Sequence, residues 1–192
     1  MDKSASTGDQ EARYVIKVSN SGSSPAKLDL EAKAVDATGA DVGHEGQALP
    51  DIPAHSQAFF YSCMGCAGSF ESLTGTPVKV SIAVTQDSVS PGPMLRTSEV
   101  TLKPGDTQYS DLPRAYDLTA KVTNSTGETL TGGVQQDGVL FSQDGQVVGG
   151  FGMDSSDDVP DTLGPGESYR ENVTTIEAVQ TAARVEYVVW PA

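Results

Sequence analysis

Apolar and polar residues alternate along several segments of this chain, with the period of two that is typical of β-strands. Between Lys27 and Val35 the even-numbered residues are apolar, whereas the odd-numbered residues that precede Val35 are charged. One face of such a strand packs on a core and the other faces water, as in an antiparallel sheet that is covered on one side. The pattern therefore predicts β-strands throughout, and we predict only one short helical turn, over 175–180.

The chain contains an internal repeat, because four features recur in the same order at a spacing of roughly 105 residues. They are an alternating strand that ends in Asn-Ser (14–22 and 116–127), a turn glycine (Gly39 and Gly145), a loop that leads into a strand (52–56 and 163–168) and a final apolar strand (78–84 and 183–190). Both glycines stand where a hairpin turn needs a positive φ, which glycine adopts at little cost. The repeat predicts that the two copies fold alike.

Short strands separated by turn signals about every ten residues favour β-sandwiches. We therefore predict an all-β fold of two tandem antiparallel β-sandwiches, 14–87 and 95–192, each near the lower size limit for burying a core unaided. Residues 1–13 are small and polar and are expected to form a flexible tether. Residues 88–94 contain two prolines and should form a short, semi-rigid linker.

The strand predicted over 134–141 has a weak apolar face, because its inward positions include Gln136 and Gly138. We expect a bulge or an edge strand there, and an exposed edge can bind an extended segment of another protein through main-chain hydrogen bonds. Phe60 and Tyr61 are neighbours in another predicted strand, so only one of them can face the core. The candidate partner-binding residues are therefore Val134, Val139, Phe141, Phe60 and Tyr61.

The order of these features resembles the FxLYD-type domain, an immunoglobulin-like sandwich of bacterial and archaeal secreted proteins and lipoproteins. The resemblance covers 14–86 and 95–190, and the segments that correspond to the naming motif are 32–36 (AKAVD) and 138–142 (GVLFS). Both segments lack the leading Phe and the second lacks the Asp, so the similarity is one of pattern and order. It implies two immunoglobulin-like sandwiches, a secreted or envelope location and a binding role without catalytic residues.

The charge of the chain excludes several kinds of partner. Its 192 residues include 26 acidic and 12 basic ones, which give a net charge of −14. Nucleic acid is excluded because phosphates attract clustered Lys and Arg. No apolar run approaches the roughly 18 residues of a membrane span, and 1–13 has no apolar segment typical of a signal peptide. We expect an extracellular or envelope-anchored protein whose signal or lipid-anchor segment has been removed; a halophilic cytoplasmic protein is the alternative.

Cys63 and Cys66 form a Cys-x-x-Cys motif with three interpretations. A disulfide that closes a short loop suits a secreted protein with an even number of cysteines. A metal site would need further ligands, for which His44 and His55 are the candidates. A thioredoxin-type redox pair would need a strand-to-helix context, which the sequence lacks. We predict the disulfide and keep the metal site as the main alternative.

A turn-rich segment of the second copy carries four closely spaced carboxylates. They belong to Asp154, Asp157, Asp158 and Asp161. Calcium prefers six to eight oxygen ligands, and Asp-rich loops can supply several of them. Because the spacing is not that of an EF-hand, a solvated acidic loop is the competing interpretation of this candidate calcium site.

No motif in the chain predicts catalysis. The chain has two histidines, no Gly-x-Ser-x-Gly segment and no glycine-rich loop that follows a strand and opens a helix. We therefore expect a non-enzymatic binding or adaptor module that presents loops and a sheet edge to a protein partner. The alternatives are a metal-binding carrier or sensor, which uses the Cys63/Cys66 loop or the 154–161 loop, and a structural spacer.

Overall fold

A computed structural model describes residues 11–66, 73–85, 90–153 and 158–192, and the fold over these residues is all-β. The regular structure of this part consists of eleven strands and a 3-10 turn at Thr107–Tyr109. The strands are β1 (Ala12–Asn20), β2 (Asp29–Val35), β3 (Asp41–Ala48), β4 (Ser56–Met64), β5 (Lys79–Thr85), β6 (Arg96–Pro104), β7 (Arg114–Thr123), β8 (Val134–Phe141), β9 (Val147–Met153), β10 (Ser168–Ala178) and β11 (Arg184–Pro191). We call β1–β5 the first half and β6–β11 the second half.

The two halves pair their strands in the same order, and all pairs of named strands are antiparallel. In the first half β1 pairs with β4, and β2 lies between β3 and β5. In the second half β7 pairs with β10, and β8 lies between β9 and β11. A single residue pair, Ala178 with Gly149, joins the second-half strands into one six-stranded sheet. Strand β6 adds to the edge of β7 and has no counterpart among the described residues of the first half.

Each half is sandwich-like, because alternate side chains from its two groups of strands meet in a core. The predicted inward residues of β2 are all buried: Leu30, Ala32 and Ala34. Leu30 belongs to the main cluster of the first half, and Ala32 and Ala34 belong to a second cluster. The other members of the main cluster are Ile16, Val18, Leu49, Ile52, Ala58, Phe60 and Trp190. The cluster of the second half includes Tyr116, Leu118, Ala120, Val122, Val134, Leu140, Val173, Ile176 and Val189. Trp190 of β11 therefore belongs to the core of the first half, so the two halves share apolar contacts.

The predicted turn glycines are confirmed. Gly39 has a φ of +85° and Gly145 a φ of +82°, and each donates its N–H to the carbonyl three residues earlier. These conformations are strained for residues that carry a Cβ atom. The same hairpin turn therefore connects β2 to β3 and β8 to β9.

The helical turn predicted over 175–180 is wrong. Strand β10 continues to Ala178, and a shift in its pairing with β7 between Val173 and Ile176 marks a bulge. Thr175 has a φ of +58° in this bulge and donates its N–H to an Asp117 carboxylate oxygen at 3.3 Å. A bulge adds a residue to one strand and breaks its period of two, which imitates helical spacing in the sequence.

The expected edge position of the 134–141 strand is also wrong. β8 is a central strand that pairs with β9 on one side and β11 on the other. The pairing with β9 does shift between Leu140 and Phe141, but the extra residue of this bulge is Val148 of β9. Gln136 and Gly138 face the interior as predicted from parity: Gln136 accepts a hydrogen bond from the Tyr187 hydroxyl, and Gly138 leaves room for the Phe151 ring.

The two asparagines of the Asn-Ser repeat have the same structural role. The side-chain amide of Asn20 donates to the carbonyl of Ile52 at 2.9 Å, and that of Asn124 donates to the carbonyl of Leu163 at 2.8 Å. Each also donates to the carbonyl four positions on and accepts from the N–H two positions on. These bonds fasten the turn after β1 or β7 to the loop that leads into β4 or β10.

Replacing Asn124 with Ala should lower the free energy of unfolding by about 1–3 kcal/mol, because its hydrogen bonds lie in a site closed to water. Asn124 is 0% exposed, so water cannot replace the lost partners. Urea denaturation followed by tryptophan fluorescence measures the effect. Ser125→Ala, at the exposed neighbouring position, is the control and should change stability little. An Asn124→Ala variant as stable as this control would contradict the role of the amide.

Candidate functional site

The outer face of β4 packs against the second half. Phe60 points inward and is fully buried, with its ring 5.9 Å from that of Trp190. Phe59 and Tyr61 point the other way: the Phe59 ring meets the edge of Phe141 at 5.2 Å. Tyr61 lies over Gly150, where an added Cβ would come within 2.5 Å of the Tyr61 ring. The outward aromatic residues of β4 therefore contact the other half of their own chain.

The structure places the three candidate partner-binding residues of β8 in the interior. Val134 is a member of the second-half core, and Val139 and Phe141 are buried on the opposite face of the strand. Phe141 is covered by Phe59 and by the Arg184 guanidinium, which lies 4.0 Å from its ring centroid. Because both edges of β8 are paired and both faces are covered, this strand does not offer the docking edge that the sequence predicted.

A buried carboxyl group, that of Asp137, lies at the contact between the halves. Asp137 is 2% exposed. The Tyr61 main-chain N–H and the Gln47 side chain hydrogen-bond to the Asp137 carboxyl group, and its Oδ2 atom has no hydrogen-bond partner among the described residues. Removal from water raises the pKa of this carboxyl well above its usual value, and the nearby Glu45 charge adds to the rise. The contact therefore favours the neutral form of Asp137.

A second polar contact joins the start of β1 to β10. The Arg13 guanidinium donates to Glu177 at 2.8 Å and to Glu11 at 3.0 Å. Burial works against the charge on Glu177, but the hydrogen bond and charge of Arg13 outweigh it together with the bonds from the Asp111 N–H and the Ser110 hydroxyl, so the pKa of Glu177 lies below its usual value. Residues 11–13, which the sequence assigned to the tether, are thus part of the fold, with Ala12 buried in β1.

The predicted disulfide between Cys63 and Cys66 is confirmed, with the two Cα atoms 5.7 Å apart. Among the described residues, one group of metal-ligating side chains clusters within 4.8 Å, and it consists of these cysteines and Glu11. Neither His44 nor His55, the ligands considered from the sequence, belongs to it. Metals bind the thiolate form of cysteine, so the oxidised pair is not a metal site.

The acidic loop, 154–161, lies partly outside the described residues. Asp154 and Asp157 lie outside the described residues, and Asp158 and Asp161 are exposed. The candidate calcium site therefore stays a prediction.

A cavity of about 420 Å³ lies between the halves. Its lining is mostly apolar and includes Tyr61, Val147 and Val179, and its single charged group, Arg13, already binds two carboxylates. A surface depression of about 540 Å³ on the second half is lined by polar residues that include Arg114 and Asp144. Neither lining contains a histidine or a cysteine.

The most exposed apolar strand of the described chain is β5. Its register with β2 pairs Ile82 with Ala32 and Val84 with Leu30, so both side chains share the face that points to the core. Nevertheless Ile82 is 37% exposed and Val84 is 57% exposed. The reason is the unequal width of the two sheets: β1 and β4 face three strands, and over the described residues nothing covers the third. We define the open side as the inner face of β5 together with the edge of β1 that pairs with no described strand.

Sequence reasoning missed the open side because the apolar alternation of β5 is that of any half-buried strand. The available signal was a comparison of the two copies. The second copy begins with an extra strand, β6, whereas residues 1–13 contain no segment with a similar apolar pattern. The positions of the first half that correspond to the neighbours of β6 are therefore uncovered over the described residues.

No helix among the described residues has the length and apolarity needed to cross a membrane.

The Asp137→Asn variant should be less sensitive to high pH than the parent protein. A carboxyl whose folded pKa is raised stabilises the fold below its unfolded pKa, near 3.9, and this contribution is lost as the pH rises through the folded pKa. The free energy of unfolding of Asp137→Asn, relative to the parent, should therefore increase by about 1–3 kcal/mol between pH 4 and pH 8. Urea denaturation at several pH values measures the difference.

Asp144→Asn is the matched control for this series. Asp144 is exposed, and the Ser142 hydroxyl holds the pKa of its carboxyl below the usual value. Its replacement should change the pH dependence in the opposite direction, because a lowered pKa stabilises the fold at high pH. A flat difference between Asp137→Asn and the parent across this range would show that Asp137 is not protonated in the fold.

No protein-family model matches the chain, and no curated protein matches it in sequence. Among solved structures, the chain is similar to Bacteroides uniformis β-glucuronidase, with 10% identity over 88% of this chain and 22% of that chain and a TM-score of 0.23. It is also similar to the N-terminal tandem CBM22 domain of Xyn10C from Paenibacillus barcinonensis, with 9% identity over 95% of this chain and 70% of that chain and a TM-score of 0.17. Both TM-scores are too low to assign a function.

Proposed function

We propose that this chain is a non-enzymatic module that binds a protein partner and consists of two immunoglobulin-like β-sandwiches in tandem. The tandem arrangement is supported by the common pairing order of β1–β5 and β7–β11. In an immunoglobulin-like sandwich, two antiparallel sheets face each other across one core. Residues of the β1–β4 pair and of the β3–β2–β5 group contribute to the same buried clusters, which supports this relationship for the first half.

The observation that carries the proposal is the exposed apolar side of β5. Natural proteins protect edge strands with Lys, Pro or bulges, because an unpaired edge recruits other chains. β5 has one such residue, Lys79, at its first position, whereas the edge strand β6 ends in Lys103 and Pro104. An edge with a single protecting residue that also exposes Ile82 and Val84 is suited to a partner protein.

The proposed location is outside the cytoplasm. The Cys63–Cys66 disulfide supports an oxidising compartment, where such bonds persist. Attachment to the cell envelope through a lipid anchor upstream of residue 1 is part of the proposal. In that setting the module would act as an adaptor between the envelope and its partner.

The proposal is tested by capturing partners from culture-supernatant and envelope extracts of the source organism, with mass spectrometry as the readout. The full chain is the bait, because Trp190 of the second half lies in the core of the first. Val84→Glu places a charge on the open side and should reduce recovery of the partner at least about tenfold, since an unpaired buried charge is costly. Val84 is 57% exposed, so the variant should fold.

Ser81→Glu is the matched control, because Ser81 lies on the same strand but points to the opposite face. It should recover the same partner as the parent chain. Recovery of no protein above background, or equal recovery by Val84→Glu, would contradict binding through the open side.

A further inference from the structure

The second half shows what covers the open side in a complete unit. Strand β6 pairs antiparallel with β7, and the Leu95 N–H just before β6 donates to the Val189 carbonyl of β11 at 2.7 Å. Leu95 and Leu102 pack in the same apolar cluster as Tyr187 and Val189 of β11. One strand thus completes the sheet beside β7 and covers the inner face of β11.

The equivalent positions of the first half lack this cover. The repeat aligns Ile82 with Tyr187 and Val84 with Val189, because each pair faces equivalent residues of β2 and β8. Tyr187 and Val189 are 8% and 0% exposed, whereas Ile82 and Val84 are 37% and 57% exposed. The residue types are similar, so the missing strand accounts for the difference in exposure.

We propose that the open side accepts an extended segment of a partner protein, which pairs antiparallel with the free edge of β1 as β6 pairs with β7. This inference rests on the proposed function and specifies its binding mode. Main-chain hydrogen bonds to β1 would supply affinity, and side chains at alternate positions would supply specificity. The partner segment should carry large aliphatic residues that face Ile82 and Val84, as Leu95 and Leu102 face β11.

Residues 1–10 do not meet this description. The apolar residues within 1–10 are Met1 and Ala5, which do not provide two large aliphatic side chains.

A second copy of the chain does not offer a matching strand either. Its own strand of the required type, β6, is already paired with β7. The other strand edges left unpaired in the described part belong to β3, β4, β5 and β11. Of these four strands, β5 has exposed aliphatic residues, but it forms part of the open side itself, so a separate partner chain is the occupant that we infer.

The test uses a synthetic peptide of residues 94–104 as the probe, because β6 covers the equivalent residues in the second half. The peptide should bind the full chain saturably, and hydrogen exchange should slow at the amides of β1 and β5. Ile82→Glu and Val84→Glu should each weaken binding at least about tenfold, and Ser81→Glu should leave it within about twofold. A peptide that is N-methylated on the amides facing β1 should fail to bind.

Circular dichroism verifies that each variant is folded, and Val84→Glu, at the more exposed position, keeps the test valid if Ile82→Glu fails to fold. Three results would overturn the proposal. They are unsaturable binding, saturable binding that both Glu variants leave unchanged, and slowed exchange confined to other strands. A chain that sediments as a dimer and is separated by Val84→Glu would assign the open side to a second copy instead.

Deletion of 1–10 gives a further discriminating result. Tighter peptide binding after the deletion would show that this segment occupies the open side and would overturn the inference. The peptide could fail to bind while a protein partner is still recovered from extracts by the parent chain and lost with Val84→Glu. This combination would refute only strand pairing. The proposed binding function would then stand with a different mode.

Discussion

The face of a β-sheet is shielded from water only where a facing sheet covers it. In the first half this constraint determines which residues are exposed, because its two sheets differ in width. The β1–β4 pair faces three strands, β3, β2 and β5. On the β3 side the second half closes the gap, because Gln47 hydrogen-bonds to Asp137 of β8. Trp190 adds its indole ring to the same core. At β5 no described residue has this role, so the exposure of β5 follows from strand number rather than from local sequence.

The contact between the halves combines apolar packing with one unfavourable group. Phe59 against Phe141 and Phe60 against Trp190 remove large rings from water, which stabilises the contact. Asp137 opposes it, because desolvation of a carboxyl group is costly and one oxygen lacks a partner. We interpret Asp137 as a determinant of position: its bonds to Gln47 and to the Tyr61 N–H are satisfied in only one arrangement of the halves.

The sequence was sufficient to predict features that depend on neighbours along the chain. The alternation in β2, the turn glycines, the Asn-Ser turns and the disulfide loop are all local, and each is present. The position of β8 was not predictable in this way, because a period of two identifies the faces of a strand but not its neighbours. Gln136 and Gly138 weaken the apolar pattern of this strand. Gln136 accepts a hydrogen bond from the Tyr187 hydroxyl, and Gly138 leaves room for the Phe151 ring, and both of these partners are distant in sequence.

The repeat supplies the comparison that a single copy cannot. Two units with one pairing order should bury the same positions, and Val84 departs from Val189 only because β6 covers one of them. The fold itself does not require an apolar residue at a position that is 57% exposed. Threonine has the same β-branched shape and similar strand propensity, and at this position it would expose less apolar surface to other proteins. In the proposed binding mode, the aliphatic side chain at position 84 packs against the bound segment, and the strand that covers Val189 defines the shape of that segment.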